Sequence, residues 1–276
     1  MKRMYIPDPI SYKTMGTADL RKHFLLDDLF KPGEIELLYT DVDRGIIGSA
    51  VPTDKELSLV GTKQETASEY FCERRELGIV NIGGTGSVIV DDAVFELVRK
   101  DMAYVGRGVK TIKFRSADPK NPAKFYLVSY PAHAAYPSRK VTRDEAFAAS
   151  FGTQEEANVR TIRRYLAPQI LPTCQIVMGM TELAPGSIWN TMPAHTHPRR
   201  SEVYMYFDLD DALVVHLMGE PSETRHLIMK NEQIVISPSY SLHSAAGTKN
   251  YTFVWAMGGE NQEFTDMDGI APGNLK

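Results

Sequence analysis

The stretch Pro193-Ala194-His195-Thr196-His197-Pro198-Arg199-Arg200-Ser201-Glu202 holds two histidines two residues apart and a glutamate five residues after the second. Further along, Pro238-Ser239-Tyr240-Ser241-Leu242-His243 brings a third histidine just after a proline turn. Three imidazoles and one carboxylate can fill most of the coordination sphere of a divalent metal and still leave a position open for substrate. His195, His197, Glu202 and His243 are therefore candidate ligands of a catalytic metal. His216 and His226 read as strand residues with a satisfied ring nitrogen. His23 falls in a helical pattern and His133 in a proline-punctuated loop, and none of the four has a ligand-spaced neighbour.

The elements that must position these ligands are strands. Side chains at i and i+2 of a strand point to the same face, so His195 and His197 can project together into a barrel interior. The next run, Glu202-Val-Tyr-Met-Tyr-Phe207, puts Glu202, Tyr204 and Tyr206 on one face. If Glu202 points at a metal, the two tyrosines line the same cavity. His243 arrives on a third strand, after Gln233-Ile-Val-Ile-Ser237 and the turn at Pro238.

The wider chain of 276 residues is 43% hydrophobic and 24% charged, the balance of a globular protein with a sizeable core. Its formal net charge of -4 offers no basic field for nucleic acid or an anionic membrane, and there is no helix-turn-helix pattern. No apolar run approaches membrane-spanning length, and the opening Met1-Lys-Arg-Met-Tyr-Ile-Pro-Asp-Pro9 lacks the apolar region of a secretory signal. Cys72 and Cys174 form no disulfide framework and suit a reducing cytoplasm. These features predict a cytoplasmic protein that binds neither nucleic acid nor membrane.

Short strands with Gly and Pro turns recur in two blocks, which predicts an all-β protein of duplicated jelly-roll barrels with a few short helices. Residues 1–140 form the first barrel, 141–169 a helical linker and 170–276 the second barrel. A helix is expected over 17–30, with Thr17 as its cap, and another after the capping box Thr142-Arg-Asp-Glu145, over Ala146 to Phe151. Gly83-Gly84-x-Gly86 is a turn between strands, because no Lys-Ser/Thr comes after it and a strand does.

The pattern His195-x-His197-x4-Glu202 with Pro238-x4-His243 resembles the two metal motifs of the cupin superfamily. The first block resembles a second cupin unit with Glu73-Arg74-Arg75-Glu76 where histidines would stand, so it is expected to hold no metal. Two departures mark the metal-bearing block: Asp208-Leu-Asp-Asp211 replaces the glycine that usually comes after the glutamate, and Tyr240 replaces a turn glycine. Several longer strings narrow the match, among them Tyr70-Phe-Cys-Glu-Arg-Arg-Glu-Leu-Gly78, Met180-Thr-Glu-Leu-Ala-Pro-Gly186, Trp189-Asn-Thr-Met-Pro193 and Gly259-Glu-Asn-Gln262. Over essentially its whole length the chain resembles the 5-keto-4-deoxyuronate isomerase family of pectin breakdown.

That resemblance implies one zinc per subunit on His195, His197, Glu202 and His243, and a homo-oligomer, a hexamer. It implies a ketol-isomerase interconverting 5-dehydro-4-deoxy-D-glucuronate and 3-deoxy-D-glycero-2,5-hexodiulosonate, with zinc stabilising an enediolate. Such chemistry needs an electrophile for the developing oxyanion and a base to carry the proton. The sequence leaves the base open among Tyr204, Tyr206, Glu182 and a metal-bound hydroxide. A uronate substrate calls for a cation, and arginine pairs with carboxylate bidentately. Arg160, Arg163 and Arg200 are the candidates, with Arg164 and Arg199 beside them. An iron-dependent cupin dioxygenase and a non-catalytic sugar-binding cupin remain as alternative readings of the same ligand pattern.

Overall fold

Runs of β-branched and aromatic residues bounded by Gly, Pro and Asp turns become strands throughout the chain. The structure is a computed structural model that describes residues 1–61 and 63–276. It is an all-β protein with one two-turn helix, Thr17–Phe24, and otherwise only single-turn helices among the described residues.

The chain divides into two units. The first comprises Met1–Met4, Asp28–Phe147 and Arg164–Met178. Its seven-stranded sheet has the order Lys2–Met4, Ile35–Thr40, Ile46–Ala50, Phe125–Pro131, Arg75–Asn81, Met102–Val105, Arg139–Val141, and a four-stranded sheet accompanies it. Its interior is apolar, with Phe71, Leu77, Ile79, Val88, Phe114 and Phe125 in one buried cluster. Glu76 is fully buried and accepts hydrogen bonds from the backbone N–H groups of Cys174, Gln175 and Ile176 and from the Tyr104 hydroxyl. Four donors satisfy this carboxylate, which gives it a structural task. At the Gly83-Gly84 turn a Cβ on Gly84 would lie 2.0 Å from the Asn121 carbonyl oxygen, so close backbone approach, not phosphate binding, explains the glycine.

The second unit comprises Tyr5–Asp27, Ala148–Arg163 and Gly179–Lys276. A seven-stranded sheet carries much of it, in the order Phe147–Phe151, Arg160–Leu166, Val177–Leu183, Thr252–Gly259, Arg200–Phe207, Gln233–Ser237, Leu25–Leu26. Its five-stranded companion runs Glu223–Met229, Val214–Glu220, His243–Gly247, Trp189–Thr196, Asp268–Gly269. These units replace the simple division at 140 and 170, because Tyr5–Asp27 belongs with the C-terminal strands and Arg164–Met178 with the N-terminal ones.

Two helix expectations are corrected. The opening helix stops at Phe24, capped by Gly16 rather than Thr17, because Leu25 and Leu26 pair with Val235 and Ile234 at a sheet edge. The 141–169 stretch is not helical. The capping box does form: Thr142 N–H donates to Glu145 and Glu145 N–H to the Thr142 hydroxyl, at 2.8 and 3.2 Å. It closes only a turn, after which Phe147–Phe151 and Arg160–Leu166 run as paired strands. Phe147 and Phe151 are four residues apart, a spacing that shares one face in a helix and in a strand alike. The open edge of Arg160–Leu166 supplies backbone partners that an isolated helical turn lacks.

The two departures from the general cupin pattern have local reasons. Asp208 and Asp210 adopt left-handed backbone with φ of 60° and 49°, which aspartate tolerates, and Asp208 accepts a hydrogen bond from Thr252. Tyr240 stacks on Tyr12 with ring centroids 5.5 Å apart and donates to the Pro7 carbonyl. The tyrosine thus seats the Tyr5–Asp27 arm on the barrel.

Candidate metal centre

Strand pairing gathers the four candidate ligands at one end of the second unit. His195 is the register partner of His243, and Glu202 stands on Arg200–Phe207 between Ser237 and Met257. A register shift between Asn190 and His195 bends the His195 strand. One ligand atom from each of His195, His197, Glu202 and His243 falls within 4.8 Å of all the others. The Nε2 atoms of His195 and His197 are 2.9 Å apart, and those of His195 and His243 are 3.1 Å apart. His197, Glu202 and His243 are buried and His195 is half-buried.

The outer ring nitrogens show what the inner ones offer. His197 Nδ1 lies 2.7 Å from the Asp266 carbonyl oxygen, to which it can only donate. That leaves the Nε2 lone pair facing the cluster. His243 Nδ1 faces the Ser237 hydroxyl at 3.3 Å. Glu202 Oε2 is buried 2.9 Å from His243 Nε2 and 3.2 Å from His197 Nε2 but has no well-oriented hydrogen-bond donor among the described residues. Lone pairs aimed at one another around an unsatisfied carboxylate oxygen fit a divalent cation. Burial, reinforced by His243 and His197, holds the His195 imidazolium down to about 2, so His195 is neutral at ordinary pH. Burial alone would raise the Glu202 carboxyl. The proximity of His243 and His197 outweighs it and holds Glu202 well below the usual carboxylate range.

A cavity of about 270 Å³ opens over these residues. His195, His197, Glu202, Tyr204 and Arg160 line it together with Thr181 and Thr191, and the rest of its wall is apolar. Trp255 forms part of that wall and donates through its indole N–H to Thr181. Gly179 makes room for the indole: a Cβ there would sit 2.2 Å from Trp255 Cζ2. Thr191 holds a left-handed φ of 48°, a strained conformation for a β-branched residue. Its side chain and that of Glu202 hydrogen-bond Tyr204. Burial, then the Glu202 charge, pushes the Tyr204 phenol well above its ordinary value, so the hydroxyl stays protonated and acts as a donor.

The other candidates divide cleanly. Tyr206 shares the face of Tyr204 but lies deeper, outside the cavity lining, with its hydroxyl 2.7 Å from His216 Nδ1. Glu182 and Arg163 pair with each other at 3.0 Å, on the strand faces opposite Thr181 and Ile162, which line the cavity. Arg200 is buried behind His197 and donates to the Asp266 carbonyl at 2.8 Å. Arg199 pairs with Asp266 and Asp268. Arg164 covers the Phe147 ring at 4.5 Å. Arg160 alone of the five candidate arginines lines the cavity, and its Nη1 donates to the Asn158 carbonyl at 2.9 Å. Sequence reasoning missed Phe151, Thr191, Phe264 and Met267, which reach the cavity from three different segments. It missed Asp266 as well, whose contribution is a backbone carbonyl that no side-chain motif announces.

Comparison with known proteins agrees in fold and family. The duplicated cupin architecture is shared with the crystal structure of an IolB-like protein from Salmonella typhimurium LT2, with a TM-score of 0.73 at 14% identity, covering 90% of this chain and 96% of that one. The 4-deoxy-L-threo-5-hexosulose-uronate ketol-isomerase of Caldicellulosiruptor bescii is 52% identical over 277 residues and 100% of both chains. The protein of the same name from Lachnoclostridium phytofermentans is 54% identical over 261 residues, 94% of each. The model of the KduI/IolB family matches residues 38–269, and with these relatives along its whole length the chain belongs to the KduI/IolB family.

Proposed function

We propose that this chain is a ketol-isomerase of 4-deoxy-L-threo-5-hexosulose uronate, the substrate named for its full-length relatives. The observation that carries the reading is the convergence of His195, His197, Glu202 and His243 at the base of a cavity whose wall also presents an arginine. The four side chains would hold zinc, which supplies Lewis acidity toward a carbonyl and a neighbouring hydroxyl without redox chemistry. Arg160 binds the substrate carboxylate, which fixes one end of an open-chain sugar acid. Tyr204 keeps its proton, and turning that O–H from Glu202 into the cavity would let it donate to a substrate oxygen. The apolar wall around Trp255 excludes water, which strengthens both polar contacts. Glu202 is a ligand and not a free base, because a carboxylate held by a cation is poorly basic. The pairing of Glu182 with Arg163 on the opposite sheet face argues against Glu182 as the base. The activity belongs to a homo-oligomeric protein in the cytoplasm.

The test is metal analysis together with incubation in the 5-ketouronate, following carbonyl rearrangement by NMR. One zinc per chain and conversion to the 2,5-diulosonate are expected. Glu202→Gln should weaken zinc binding and activity together. Full zinc occupancy with complete loss of solvent-proton exchange would instead make Glu202 the base.

A further inference from the structure

One short segment serves two parts of the site at once. Residues 261–269 supply Phe264 and Met267 to the cavity wall, and Phe264 packs against Trp255 with centroids 6.2 Å apart. The same segment supplies the Asp266 carbonyl, which accepts from His197 Nδ1 at 2.7 Å and from Arg200 Nη2 at 2.8 Å. Its end pairs with the ligand strand, Asp268 opposite Thr196 and Gly269 opposite His195.

The Asp266 carboxylate holds the segment in place. Oδ1 accepts from Arg199 Nε at 2.6 Å, and Oδ2 accepts from Asn261 Nδ2 at 2.6 Å. Arg199 also reaches Asp268 at 3.3 Å. Arg199 is fixed in turn by the backbone, since Glu260 N–H donates to its carbonyl at 3.1 Å. Hydrogen bonds from Arg199 and then Asn261 bring the Asp266 carboxyl down to about 2, so this latch is charged throughout the working pH range. Neither Arg199 nor Asp266 lines the cavity.

We propose that Asp266 is a positioning residue: its carboxylate, latched by Arg199 and Asn261, seats the 261–269 segment so that its own carbonyl fixes the His197 ring while Phe264 and Met267 close the cavity wall. Metal retention and cavity closure are thereby set by one ion pair outside both. The inference rests on the metal reading above only for its metal readout.

Asp266→Asn keeps the backbone carbonyl and the side-chain size and removes the charge. The zinc-loaded variant should lose metal to a chelator roughly tenfold or more faster than wild type, the range typical of groups that orient metal-bound histidines. Arg199→Ala should act in the same direction, and Arg199→Lys should restore part of the retention. Hydrogen exchange read on metal-free protein should show faster exchange over 261–269 in Asp266→Asn, with the other strands unchanged. In kinetics, KM should rise as the wall loosens, beyond any fall in kcat that lost zinc explains. Wild-type exchange over 261–269 in the Asp266→Asn variant would overturn the proposal, as would unchanged metal loss from a zinc-loaded variant. A wild-type protein that held no zinc would overturn the metal reading, and the exchange result would still decide the latch.

Discussion

His216 is fully buried in the second unit, on the inward face of Val214–Glu220, one row deeper than His243. Its Nδ1 meets the Tyr206 hydroxyl at 2.7 Å and its Nε2 has no hydrogen-bond partner among the described residues. Burial, then repulsion from His243, brings its imidazolium down to about 3. An unfolded histidine titrates near 6.5. Between those two values the unfolded chain binds a proton that the folded chain refuses, so stability falls as pH falls below about 6.5. At pH 5 the unfolded imidazole is almost wholly protonated and the folded one neutral. The penalty is then about 1.4 kcal/mol for each of about 1.5 pH units, or about 2 kcal/mol relative to pH 7. The informative variant is His216→Leu, which deletes the titration and leaves the Tyr206 hydroxyl without this partner, at a pH-independent cost of about 1–3 kcal/mol. Urea midpoints at pH 7 and pH 5, both in chelator so that metal release adds nothing, give the comparison. Wild type should lose about 2 kcal/mol more than the variant on acidification, and the variant should bind zinc at wild-type stoichiometry. Equal losses in the two proteins would show that His216 accepts a proton in the folded state, and loss of zinc would show that it touches the metal centre.

The geometry predicts two further outcomes. Arg160→Ala should lower kcat/KM about 10- to 150-fold, the worth of one charge-assisted hydrogen-bonded contact, with zinc content unchanged, and steady-state kinetics with elemental analysis checks both. Gly179→Ala would place a methyl 2.2 Å from Trp255 Cζ2 and 2.4 Å from the Arg163 carbonyl. It should cost about 1–3 kcal/mol in a thermal melt and shift tryptophan emission, and an unchanged melt would contradict the packing of that wall.

The candidate ligand set is legible in the sequence because its spacing is short and strand-like. His195-x-His197 needs only the two-residue alternation, and the same alternation puts Glu202, Tyr204 and Tyr206 on one face of Arg200–Phe207. The same alternation sorts the arginines, since Arg160 and Arg163 are an odd number of residues apart and must face opposite ways in a strand. Assigning 141–169 to a helix hides that rule. The capping box reads as a helix start, and its hydrogen bonds form, but an available sheet edge and not the box decides the conformation of residues 147–166. Local chemistry makes the turn, and tertiary pairing makes the strands.

Depth along a strand is not legible at all. Tyr204 and Tyr206 share a face, and their rings stack with centroids 6.2 Å apart, yet only Tyr204 reaches the cavity. Parity gives the face and says nothing of distance from the barrel mouth, which depends on how neighbouring strands are staggered. Here Tyr204 stands opposite Trp255 and Tyr206 opposite Phe253. The chemistry depends on that stagger. Near the mouth, a phenol beside Glu202 has an open cavity in which to meet a substrate oxygen. One row down, an identical phenol has only His216 and barrel side chains to meet, and its hydrogen bond serves the core. With so few polar groups on a largely apolar wall, each one in the cavity determines how a sugar acid can lie. A hydroxyl placed against the Phe253, Met257 or Phe264 side chains would lose water without gaining a partner from them, whereas a carboxylate at Arg160 and an oxygen at Tyr204 would both be met. The orientation of the substrate is therefore encoded as much by where donors are missing as by where they stand.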